Sequence, residues 1–231
     1  MIIGNGMIAN YFRSKNNIPN DCVYYCAGVS DPNENHNSAF EYEQERMYKF
    51  LKSESNSRRQ IIYFSSFHLN SGISSAYVSS KKIIESMLQG HGNSLIIRLP
   101  SVIPSDEASI RFENKTTILP FFYDKFVSNH DVIVHNGVSR CFVTLDDVHD
   151  FINNHVNRIN ETRLINFTST DFCNVNYVSY ILSHLTNSYS NIDTIDSIDT
   201  SHTYGNVKTV IYNRDIRVLL EEYVSLKSLQ L

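Results

Sequence analysis

Four runs in the first hundred residues, 1–3, 22–27, 60–64 and 94–99, are apolar at nearly every position, and helix-period segments, 7–15, 40–52 and 76–89, separate them. Strands without polar alternation are covered on both faces, as in a parallel sheet, and the strand-helix rhythm is that of βαβ units. The chain is therefore expected to form a Rossmann-like α/β fold, a doubly wound parallel sheet with a small C-terminal lobe.

After Pro100 the rhythm loosens. A polar segment at 105–117 precedes a helix at 119–128, short strands around Val132 and Phe142, and a helix opened by Asp146-Asp147. A strand at 164–167 and a helix at 177–185 follow. Residues 187–206, with repeated Ile-Asp-Thr/Ser triplets, read as a loop or irregular strand, and the chain closes with a strand at 207–212 and an amphipathic helix at 216–229. With 231 residues, 42% of them hydrophobic, the chain can bury one principal core and a small second lobe. The core is expected over 1–104 and the lobe over 105–231, with 140–168 returning to the core.

A formal charge of -4 and no long Lys/Arg run leave no basic field for nucleic acid or anionic lipid. No apolar stretch approaches the roughly 20 residues that span a bilayer, and the first residues lack a secretory pattern, so a cytoplasmic protein acting on small molecules is expected. Cys22, Cys26, Cys141 and Cys173 lack metal-type spacing and read as reduced, packed thiols, with no metal site.

Three motifs carry chemistry. Gly4-Asn5-Gly6-Met7-Ile8-Ala9 lies between the first strand and first helix, where a GxGxxA turn brings backbone N–H groups to a pyrophosphate: Gly4 for the tight turn, Gly6 for close approach, Ala9 for helix-strand packing. An acidic residue about 20 positions on normally holds the adenosine ribose. Here only late-arriving Asp31 qualifies, unless a strand-helix-strand segment has been deleted and the strand at 22–27 corresponds to a later one. Second, Tyr77 and Lys81 are four apart, on one helical face. A cation about 4 Å from a phenolate at an effective dielectric of 20 stabilises it by at most roughly 4 kcal/mol, enough to move the phenol toward use as a general acid/base. Third, the strand at 60–64 runs into Ser65-Ser66, delivering a hydroxyl beside that pair, and His68 follows closely, either facing the same pocket or serving as an ordinary loop histidine.

In this order, the glycine turn, Phe64-Ser65-Ser66, Tyr77-x-x-x-Lys81, Ile97-Arg98-Leu99-Pro100, and then Arg140-x-Phe142 with Asp146-Asp147-Val148, the chain resembles the extended short-chain dehydrogenase/reductase family, the NAD-dependent epimerases and dehydratases, over residues 1 to about 150. The resemblance implies an NAD- or NADP-dependent oxidoreductase or epimerase acting on a nucleotide-sugar, in surface-polysaccharide or related carbohydrate biosynthesis. Tyr77 would be the acid/base, Lys81 its ribose-binding and pKa partner, and Ser66 the substrate-orienting hydroxyl. Gly4, Gly6, Met7, Ile8 and Ala9 would hold the cofactor pyrophosphate, Ala27 and Gly28 would line the cofactor cleft, and Pro100 and Ser101 would lie near the nicotinamide. Ser66, His68 and Arg140 would meet substrate, the lobe at 105–231 would bind it, and a homodimer is expected.

Reduction of a keto sugar is favoured over elimination, because Phe67-His68 stands where dehydratases carry an Asp-Glu pair. Two positions depart from the family's pattern: Glu43 replaces its usual asparagine, and Pro104 replaces a glycine. Glu43 reads either as an added acid or as part of a solvated helix face, and Arg140 either as a phosphate ligand or as half of a surface salt bridge with an acid such as Asp146. The rival function is a dinucleotide-binding regulatory or partner protein with little turnover.

Overall fold

The computed structural model describes residues 1–34, 36–54, 59–115, 117–156, 161–169, 172–196 and 207–229. The first half is β1 (Ile2–Ile3), α1 (Met7–Ser14), β2 (Cys22–Tyr25), α2 (Asn37–Glu54), β3 (Gln60–Ser66), a 3-10 turn (Phe67–Asn70), α3 (Ala76–His91) and β4 (Ser94–Leu99). The second half comprises β5 (Ser101–Ile103), α4 (Glu107–Ile110), α5 (Ile118–Val127), β6 (Val132–Asn136), β7 (Ser139–Arg140), β8 (Phe142–Thr144), α6 (Leu145–His155), β9 (Arg163–Ser169), β10 (Cys173–Asn174), α7 (Val175–Leu185), β11 (Ile192–Asp196), β12 (Thr209–Tyr212) and α8 (Ile216–Ser228).

Six strands form one parallel sheet in the order β1-β2-β3-β4-β9-β12. Alternation along the strands sends Cys22, Tyr24, Ile62, Phe64, Leu95 and Ile97 to one face, where Tyr11 and Phe12 of α1 and Val148, Phe151 and Ile152 of α6 cover them. Tyr25, Ile61, Tyr63 and Ile96 point the other way, onto Met47 of α2 and Ile84 and Leu88 of α3. Helices thus cover both faces, as the unbroken apolar runs require. Each fully buried side chain of this size contributes roughly 1.5–3 kcal/mol, so β2, β3 and β4, buried at every position, anchor the fold. The half-buried Ile2 and Ile3 of β1 add much less.

A second cluster joins Leu119, Phe122 and Phe126 of α5, Val178 and Leu182 of α7, and Leu219, Leu220 and Tyr223 of α8 around Val132, Val134 and Phe142. Three strand pairs, β5-β8, β6-β11 and β7-β10, stand outside the main sheet. The polar segment at 105–117 contains α4, held by a capping box in which Asp106 accepts from Ser109 N at 2.8 Å. Within the stretch read as loop or irregular strand, Ile192–Asp196 pairs in parallel with β6, and residues 197–206 lie outside the described residues.

The strand order decides the question left by the missing acid. β1 is an edge strand, and α1 leads through only residues 15–21 into β2, its neighbour in the sheet. The strand at 22–27 is thus the one that follows the order reversal in a complete dinucleotide fold, and the intervening strand-helix-strand segment is absent. The direct β1–α1–β2 connection also has an unusual hand. The crossovers through α1, α2 and α3 all step the same way across the sheet, yet α1 lies on the face opposite α2 and α3. The α1 crossover is therefore opposite in hand to the other two, against the right-handed rule that about 98% of such connections obey. Among the described residues, no helix is long and apolar enough to cross a membrane.

Candidate active site

A cavity of about 1030 Å³ opens at the C-terminal ends of β1 to β4, where loops of a parallel sheet bind ligands. Its lining brings together Gly4, Gly6, Met7, Ile8, Ala27, Gly28, Ser66, His68, Tyr77, Lys81, Pro100, Ser101 and Arg140. Asp31 also lines it, whereas Ala9, Glu43, Arg98 and Pro104 do not, and Ala9 is fully buried.

At one end lies the glycine turn. Gly4 has φ +118°, and a Cβ there would lie 2.8 Å from the Cys26 carbonyl carbon and oxygen, so the turn presses directly on the end of β2 and admits no side chain. Gly6 caps α1 without a side-chain hydrogen bond, and a Cβ on it would meet nothing within 4 Å. With Gly6, Met7 and Ile8 in the cavity wall, the N-terminus of α1 borders open space, an arrangement suited to an anion.

The other end is set by α3. Ser75 caps this helix, its hydroxyl accepting from Val78 N at 3.2 Å, and so fixes Tyr77 in the first turn with Lys81 one turn on. The Ser66 hydroxyl, at the end of β3, acts on the Tyr77 phenol and accepts from His68 N at 3.2 Å. Burial first, then the charges of Glu43 and Asp31, push the Tyr77 phenol up to about 12, with the Ser66 hydroxyl acting the other way. His68 meets the Tyr77 ring edge-on at 6.4 Å between centroids, and burial together with the Arg140 charge lowers its pKa, favouring neutral imidazole.

Glu43 corrects the expectation of a solvated helix face. It is 2% exposed, its Oε1 lies 2.7 Å from Lys81 Nζ, and its Oε2 accepts from Val29 N at 2.9 Å. A Cβ on Gly28, at φ +149°, would collide with the Glu43 carboxylate and lie 3.1 Å from Lys81 Nζ, so glycine is needed where β2 meets this pair. Lys81 Nζ is 5.6 Å from the centre of the Tyr77 ring, with its charge matched by Glu43. The signal for Glu43 was in the sequence: it falls three residues after Phe40 and four before Met47, both buried, on the apolar stripe of α2.

A second buried network holds the serine strand. Arg98 meets Glu85 through Nε at 2.9 Å and Nη2 at 2.7 Å, Ser65 donates to the same carboxylate at 2.7 Å, and Arg98 Nη1 donates to Asn70 at 2.9 Å. It ties α3, β3 and β4 together behind Ser66.

Arg140 enters from the opposite wall, on β7. It is half-buried, donates to the Ser139 carbonyl at 3.0 Å, and makes no salt bridge among the described residues. Asp146 is engaged elsewhere, accepting from Tyr11 at 2.5 Å and pairing with Lys15 at 3.4 Å, so the proposed Arg140–Asp146 bridge does not form. All four cysteines are free thiols, and among the described residues no group of three or more His, Cys, Asp or Glu could hold a metal.

No family model matches the sequence, and no curated protein matches it either. Solved structures match the fold. UDP-N-acetylglucosamine 4-epimerase from Methanobrevibacter ruminantium M1, in complex with UDP-N-acetylmuramic acid, superposes with a TM-score of 0.69 at 14% identity, over 91% of this chain and 77% of the other. dTDP-4-dehydrorhamnose reductase from Yersinia enterocolitica gives 0.66 at 15%, over 89% and 81%. dTDP-glucose 4,6-dehydratase from Bacillus anthracis, in complex with NAD, gives 0.71 at 10%, over 90% and 72%. The chain has the Rossmann-like fold on which these three reactions are carried out.

Proposed function

We propose that the protein is an NAD(P)-dependent enzyme that modifies nucleotide-sugars, with reduction of a keto sugar as its reaction. The carrying observation is that one cavity joins a glycine turn at a helix N-terminus, Tyr77 with Ser66 and Lys81, and a half-buried Arg140 that has no salt bridge among the described residues. Structures of the same fold hold UDP-sugars and NAD, which supports this choice of ligands.

The residues fit the cofactor in part. The N–H groups of α1 suit a phosphate, and the space between Gly28, Tyr77 and Pro100 suits the nicotinamide riboside; among the described residues no strand stands beyond β1 to wall the adenosine. When bound, the reduced nicotinamide supplies hydride. Tyr77, held protonated by burial, donates its hydroxyl proton to the oxygen of the carbonyl being reduced, and Ser66 orients that oxygen. Lys81, held by Glu43, reaches toward the ribose hydroxyls. Arg140 neutralises the sugar's diphosphate. His68, which stands where elimination would require a carboxylate, keeps the Tyr77 pocket uncharged.

The paired Lys81 supports a second reading, a dinucleotide-binding regulatory protein with little turnover, since a neutralised lysine activates a phenol less. The test is oxidation of NADH and NADPH followed by absorbance over a panel of nucleotide-linked 4-keto sugars, with Tyr77→Phe as control. Turnover that is lost in Tyr77→Phe supports the enzymatic reading. Cofactor binding without turnover on any substrate favours the regulator.

A further inference from the structure

The sheet stops where a dinucleotide would need it to continue. A complete site is built from two mononucleotide-binding halves flanking the first strand, and the adenosine ribose is held by an acid on the far half. In this chain β1 is the edge, and among the described residues no strand pairs with its outer side. Residues 15–21, all described, are too few to return a strand by a crossover, which takes about a dozen residues or more.

The polar side chains beside this edge are occupied with the turn itself. Asn10 Nδ2 donates to the carbonyls of Asn5 at 2.8 Å and Gly6 at 3.0 Å, and Arg13 donates to the Gly4 carbonyl and, at 3.5 Å, to Asn10 Oδ1. They brace the carbonyl side of the glycine turn and leave no hydroxyl-binding carboxylate on it. The groups that could hold a ligand are the N-terminus of α1, Lys81 with Glu43, Tyr77 with Ser66, Asp31 and Asn33 from the connection between β2 and α2, and Arg46 of α2; all belong to the turn or to elements on the inner side of β1.

We propose that the cavity recognises only the nicotinamide ribose phosphate half of a dinucleotide and is indifferent to the adenosine half, so that NADH, NADPH and reduced nicotinamide mononucleotide are equivalent ligands. This rests on the cofactor reading above and sharpens it. The 2′-phosphate that distinguishes NADPH lies on the adenosine ribose, outside any wall the fold supplies. A dinucleotide therefore gains little over the mononucleotide, whose single phosphate takes the place of the pyrophosphate at the N-terminus of α1.

The test is a set of three equilibrium titrations of the full chain, without sugar substrate, with NADH, NADPH and reduced nicotinamide mononucleotide, each carried to millimolar concentration. The expected result is three dissociation constants within about threefold of one another. Tighter binding of both dinucleotides by about tenfold or more overturns the proposal while leaving the cofactor reading intact. Tighter binding of NADPH alone also overturns it, because it requires a group that reads the 2′-phosphate. Binding of none of the three overturns the proposal together with the cofactor reading beneath it.

Discussion

The two ends of the cavity rest on one parallel sheet but are held in different ways. The end around Tyr77 stands on β3 and β4, strands buried at every position, with the Glu43–Lys81 and Arg98–Glu85 pairs packed on one side of them. The end around Gly4 stands on the two residues of β1, at the sheet edge, and its polar side chains brace only their own turn. Rigid positioning therefore belongs to the end where a proton would move, and the loosely built end need only present N–H groups to a phosphate. The first end does not depend on any strand beyond β1.

If this contrast is sound, substitutions at the two ends differ in kind. The largest effect is expected from Tyr77→Phe, which removes the proton donor and lowers kcat on a keto sugar by about 10²–10⁴, with NADH affinity and thermal midpoint unchanged. Next comes Glu43→Ala, which strands a buried ammonium at Lys81. Breaking such a pair costs about 3–5 kcal/mol, a fall in thermal midpoint of roughly 6–20 °C measured by calorimetry.

Glu43→Gln is the gentler version of the same test. The phenol donates protons while it remains protonated, so activity is present below the Tyr77 pKa and lost as pH rises through it. Glu43 raises that pKa, and without its charge Lys81 is also freed to favour the phenolate. The alkaline limb of the kcat profile is thus expected to move down by about one pH unit, a change worth about 1.4 kcal/mol.

Arg140→Ala is expected to weaken UDP binding by about 10- to 100-fold in a calorimetric titration, the loss of a charge-assisted contact to phosphate. The smallest effect belongs to the edge. Arg13→Ala is expected to change NADH affinity by no more than about twofold, as for other exposed charges. An effect there as large as that of Arg140→Ala would erase the distinction between the two ends.

Much of this was readable in the chain because it depends on local spacing. The glycine turn, the serine at a strand end and the tyrosine and lysine one helical turn apart are set by β1–α1, β3 and α3 in sequence order, and the fold gathers them at one sheet edge line. The Glu43–Lys81 pair was harder to see because the charge of Glu43 argues for solvent, while its place between Phe40 and Met47 argues for burial; packing of α2 on α3 decides in favour of the second. Arg140 has no salt bridge among the described residues, and Tyr11 and Lys15 claim Asp146 from more than a hundred residues away, which no local pattern records. The edge position of β1 was half-visible, in the short 15–21 connection, but required the pairing of β1 with β2 to become a statement about ligand binding.

The most direct measurement is deuterium transfer. Each of the two stereospecifically 4-deuterated forms of NADH is incubated with the protein and a nucleotide-linked 4-keto sugar, and the product sugar is weighed by mass spectrometry. One form is expected to deliver a single deuterium, as deuteride, to the former carbonyl carbon, the other none, and Tyr77→Phe to slow the transfer by about 10²–10⁴. An unlabelled product from both forms, or equal labelling by wild type and Tyr77→Phe, would contradict the account.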